Sequence, residues 1–73
     1  MNATNLDTTV KTSLALVRAK LEKGLRIATA AEVCSTSGRT SKAFEVARGL
    51  EEIVSDVNTL LNTAGIISRL GKS

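Results

Sequence analysis

A chain of 73 residues with net charge +3, no proline, no histidine, one cysteine and one aromatic residue has room for a single domain. Cys34 alone cannot close an intrachain disulfide, and a chain without histidine lacks the ligands of an ordinary zinc site. A fold this small then depends on well-packed helices, on self-association, or on both.

Ala, Leu, Val, Ile, Glu, Lys and Arg dominate outside one short segment, the composition of long uninterrupted helices. No apolar run approaches the roughly 20 residues that span a bilayer, so no membrane role is expected. Residues 1–11 lack a basic stretch followed by an apolar one, so no secretory signal is expected. The lone thiol fits a reducing cytoplasm.

The first helix is predicted over about residues 7–33, with Asn5 or Asp7 as N-cap. Apolar residues recur at Val10, Leu14, Val17, Leu21, Leu25 and Ala28, in steps of three and four, a one-sided helical stripe. Gly24 interrupts it and reads two ways, as a tolerated surface glycine or as a point of close helix approach. Lys11, Arg18, Lys20, Lys23 and Arg26 share this helix with one acid between them, Glu22.

Residues 34–41, CSTSGRTS, break the periodicity and form the predicted loop. Gly38 is its natural tip, and Thr40 or Ser41 is the expected N-cap of the next helix. One glycine in such a setting does not make a phosphate-binding loop.

The second helix is predicted over about residues 42–69, a rod of roughly 40 Å. Val46, Leu50, Ile53, Val57, Leu60, Ala64 and Ile67 alternate in steps of four and three, a heptad seam widened by Val54 and Leu61. Between residues 43 and 62 the charge balance reverses, with Glu45, Glu51, Glu52 and Asp56 against Arg48. A basic helix and an acidic one attract each other, within a subunit or between subunits, although solvated faces also carry such runs.

The fold class expected is all-α, an antiparallel, coiled-coil-like two-helix hairpin over residues 1–73. Its seam pairs Val10, Leu14, Val17 and Leu21 with Val46, Leu50, Ile53, Val57, Leu60 and Ile67. Leu16, Ile27, Phe44, Val54, Leu61 and Ile66 fall outside that seam and are the candidate oligomer interface. Scattered exposed apolar residues are common in monomers, which is the plainer reading of the same positions. A contact through them that is head-to-tail rather than two-fold can close into a ring.

Catalysis has little to stand on. Without His or Tyr, acid–base work falls to carboxylates and lysines, and the adjacent Glu51 and Glu52 point about 100° apart on a helix. Cys34 has no histidine to activate it. The expectation is a chain with no catalytic, metal-binding or cofactor-binding residue.

The opening of the second helix, Lys42-Ala43-Phe44-Glu45-Val46, followed by Leu50, Val54, Asn58 and Leu60-Leu61, resembles the small terminase subunits of T-even-like tailed bacteriophages. The preceding residues 27–38, IATAAEVCSTSG, are similar to the Ala-rich end of that family's first helix and its Ser-containing turn. The resemblance covers about residues 27–67. It implies a non-enzymatic homo-oligomeric ring of hairpins in the cytoplasm of an infected bacterial cell. Its implied partners are other copies of itself, the large terminase subunit and double-stranded viral DNA, and its implied role is to regulate the packaging motor.

Under that reading Lys11, Arg18, Lys20, Lys23 and Arg26 on the first helix, with Arg39 and Lys42 at the loop end, are the candidate DNA-binding residues. They would meet phosphates without reading sequence. The alternative is a helical protein–protein interaction module, an antitoxin or adaptor, with no nucleic-acid role. A secretion-needle or filament subunit is a third reading, disfavoured by the proline-free turn.

Overall fold

The computed structural model describes residues 3–72 and holds only helices among them. Helix α1 spans Ala3–Thr36, α2 spans Thr40–Ala47 and α3 spans Gly49–Lys72. The chain folds back once, between α1 and α2, and α2 continues into α3 through a bend at Arg48. The result is a two-helix hairpin with one bent arm, measuring 54 × 14 × 12 Å.

α1 starts earlier and ends later than the sequence periodicity predicts. Asn5 and Asp7 lie inside the helix rather than at its N-cap, because Leu6 belongs to the packed face. A Cβ built on Gly71 would stand 3.4 Å from Leu6 Cδ1, so the open ends of α1 and α3 meet there. At the other end, the Thr36 and Ser37 hydroxyls both donate to the Val33 carbonyl, at 3.0 and 2.9 Å. These polar side chains extend the helix instead of opening a loop, so the connection shrinks to residues 37–39.

Gly38 terminates α1 with φ +80°. Its N–H donates to the Ser35 carbonyl at 3.0 Å, and the Arg39 N–H reaches the Cys34 carbonyl at 2.9 Å. That bond pair satisfies orphan carbonyls of the last turn and requires a left-handed residue between them. Arg39, not Thr40 or Ser41, occupies the N-cap position of α2, and it makes no side-chain capping bond. The bend at Arg48 is a tighter turn, with the Glu51 N–H donating to the Arg48 carbonyl three residues back.

The helices run antiparallel in one register. Ile27 lies by Gly49, Gly24 by Leu50 and Ile53, Lys20 by Asp56, and Leu6 by Gly71. On the second arm the inward positions are Val46, Leu50, Ile53, Val57, Leu60, Ala64 and Ile67, all buried or half-buried. On α1 they are Leu6, Val10, Ser13, Val17, Lys20, Gly24, Ile27, Ala31 and Cys34, again in alternating steps of four and three.

The α1 stripe therefore differs from the hydropathy-based one. Val10 and Val17 lie in it, whereas Leu14, Leu21 and Leu25 stay exposed on its flank. Ser13, Lys20 and Gly24 take the inward places. Gly24 shows the reason: it is buried under Leu50 and Ile53, where a small residue brings the backbones close.

Two glycine substitutions separate these effects. At Gly24 an added Cβ would meet Ile53 Cγ2 at 3.5 Å and Leu50 Cδ2 at 3.6 Å, ordinary contact distances. Gly24→Ala is expected to stabilise the hairpin by about 1 kcal/mol, raising the melting temperature by about 5 °C. Gly38→Ala, forced into positive φ, is expected to lower stability by about 1 kcal/mol. Thermal melts followed by circular dichroism check both.

Candidate functional site

Helical geometry and one cross-helix contact sort the outward residues into two flanks. Lys20 Nζ donates to Asp56 Oδ2 at 2.9 Å, bridging α1 and α3 along one side of the seam. Leu16, Thr59 and Leu60 line a shallow groove with that pair. Residues two apart on a helix point about 160° away from each other. Leu14 therefore lies across the seam from Leu16, Val54 across from Asp56, and Leu61 across from Thr59.

The flank opposite the Lys20–Asp56 pair is apolar along most of its length. Leu14 and Leu21 repeat at an interval of seven on α1, with Leu25 beside them, and Val54 and Leu61 repeat likewise on α3. In the shared register Leu14 sits level with Leu61, and Leu21 with Val54. Phe44 joins the same side near the turn, in a groove with Ala31, Glu32 and Ala47. These six side chains are between 46% (Leu61) and 72% (Phe44) exposed.

The candidate interface residues thus divide three ways. Phe44, Val54 and Leu61 stand on the apolar flank, while Leu16 and Ile66 stand on the side of the Lys20–Asp56 pair. Ile27 is no outward residue: it is half-buried inside the hairpin, with its Cδ1 3.4 Å from where a Gly49 Cβ would be. Sequence reasoning placed Leu14 and Leu21 in the seam and so missed them as surface. The repeats Leu14-Leu21-Ala28 and Ala47-Val54-Leu61 are the signal that would have shown a second apolar edge.

The candidate DNA-binding cations also divide. Arg18 Nε pairs with Glu22 Oε1 at 3.0 Å, and Lys42 Nζ approaches Glu45 Oε2 at 3.7 Å, both on exposed helix surface. Lys20 is turned to Asp56 and sits in the inward stripe. Among the described residues no ion pair holds Lys11, Lys23, Arg26 or Arg39, and all four are exposed. Lys11, Arg18 and Arg26 follow one another along the outer face of α1, roughly 10–12 Å apart. The attraction between a basic first arm and an acidic second arm is realised in direct contact by the Lys20–Asp56 bridge, which the sequence did not single out.

No family model matches the chain, and neither a curated protein nor a solved structure matches it. No helix of the described residues is long and apolar enough to cross a membrane.

The hydrogen bond to Asp56 raises the Lys20 pKa above its ordinary 10.5, as do the charges of Asp56 and, more weakly, Glu52, against the opposing effect of burial. A raised folded-state pKa means the bridge stabilises in full below the ordinary lysine value and ceases to do so as pH rises through the raised one. Wild type is accordingly expected to lose melting temperature relative to Lys20→Met as pH rises above the ordinary lysine value of 10.5. A constant difference across that range would show that the bridge contributes nothing.

Proposed function

We propose that the chain is a non-enzymatic assembly subunit of the small-terminase kind. It self-associates into a ring that engages double-stranded genome DNA through phosphate contacts and regulates the large terminase motor. The observation that carries this reading is a hairpin with two different surfaces, an exposed apolar flank suited to self-association and a basic outer face on α1. The residues of the turn and the second arm supply the resemblance to that family, and the hairpin architecture agrees with it. Packaging itself rests on the resemblance.

In this reading Lys11, Lys23, Arg26 and Arg39 carry the phosphate contacts, whereas Lys20 is committed to Asp56. An apolar flank of this width also favours a second reading, a module that receives an amphipathic partner helix.

Duplex DNA binding is expected to weaken steeply between about 50 and about 200 mM salt, with a log–log slope near −4 for four phosphate contacts. Replacing Lys11, Lys23 and Arg26 by Gln should reduce that slope by about 3, and Lys20→Gln should leave it unchanged. Fluorescence anisotropy with a random-sequence duplex reads both. Salt-independent binding, or none at low salt, would remove the DNA-contact proposal. A concentration-independent monomer that captures a helical peptide and ignores DNA would replace it with the second reading.

A further inference from the structure

We infer that the apolar flank seats the same flank of a second copy, giving a two-fold, four-helix pair that is the building unit of any larger assembly. The inference rests on the self-association part of the reading above and is independent of DNA.

Area is the first support. The chain exposes 5512 Å², against about 4,300 Å² for a compact monomer of this size. The surplus, about 1,200 Å², exceeds the roughly 800 Å² that each partner buries in a standard interface. Leu14, Leu21, Leu25, Phe44, Val54 and Leu61 together expose roughly 600 Å², at the upper limit of apolar patches on monomers.

Shape is the second. The patch is two helices wide: Leu14 and Leu21 on α1, and Val54 and Leu61 on α3, each hold one repeating heptad position beside the inward stripe, with Leu25 and Phe44 one position further out. Apolar residues at that additional position mark helices that pack against two neighbours, as in a four-helix bundle, rather than one.

The difference between flanks favours an isologous contact, because the opposite flank carries the Lys20–Asp56 pair among Leu16 and Ile66. A head-to-tail contact would press the apolar side of one copy onto the Lys20–Asp56 side of the next and strip water from that ion pair. A two-fold contact covers apolar surface with apolar surface and leaves the ion pair wet.

Leu21 and Val54 lie near the middle of the patch, between Leu14 and Leu61 on one side and Phe44 on the other, so a two-fold axis through its centre brings each Leu21 beside its own copy.

Native mass spectrometry and single-cysteine crosslinking test this. In wild type every species is expected to contain an even number of chains, with the pair the smallest. Leu21→Gln with Val54→Gln should weaken pairing about 100-fold or more. Leu16→Gln with Ile66→Gln, on the opposite flank, should leave pairing intact. Because the first variant risks unfolding if pairing supports the hairpin, the second measurement keeps the native face. In a Cys34→Ser background, Leu21→Cys is expected to bridge to its own copy through a short bismaleimide, and Leu16→Cys is not. A residue meets its own copy this way only across an isologous contact. An odd-numbered ring, or bridging through Leu16→Cys but not Leu21→Cys, overturns the two-fold pair and leaves the self-assembling reading standing. A monomer at every concentration overturns both.

Discussion

The structure depends on how closely two long helices approach along a narrow seam. Gly24 lies buried under Leu50 and Ile53, and Ser13 and Ala64 are buried at the same level further along. Small residues at these positions bring the backbones near, and dispersion contacts accumulate only at such distances. The seam also dictates everything outside it. Once Leu6, Val10, Val17 and Ile27 face inward, helical geometry leaves Leu14, Leu21 and Leu25 no place except the flank.

A seam of small residues makes a thin core. Val17, Ile53 and Ala64 are the buried apolar residues among those described, and the Cα radius of gyration is 16.7 Å, against about 11 Å for a compact domain of this length. A rod of this kind trades buried volume for displayed surface. The displayed surface is organised, with a cluster of leucine, valine and phenylalanine on one side and a cross-helix ion pair flanked by Leu16 and Ile66 on the other. That asymmetry gives an isolated hairpin a direction in which to grow.

Electrostatics act locally rather than as two opposed charged rods. Among the described residues the one direct bridge between arms is Lys20–Asp56, about two-fifths exposed at each side chain, where a lysine stem can cover the seam while its ammonium stays wet. Arg18 and Lys42 are tied to acids on their own helices. The cations left extending from α1 are fewer than composition suggests, and they are spaced along a face rather than clustered in a pocket.

The sequence by itself determined the helical class, the single hairpin, the turn at Gly38 and the inward stripe of the second arm. Each of these is written in local chemistry: absent proline, a glycine suited to positive φ, and a strict four-three repeat of apolar residues. Only the tertiary structure decided the rotation of α1, because two candidate stripes lie side by side on that helix and the more hydrophobic one is not the one buried. Hydropathy ranks leucine above serine, lysine and glycine, whereas a close helix pair selects for size. The same rotation decided the candidate interface, turning Leu14 and Leu21 outward to join Val54, Leu61 and Phe44, and drawing Ile27 in against Gly49.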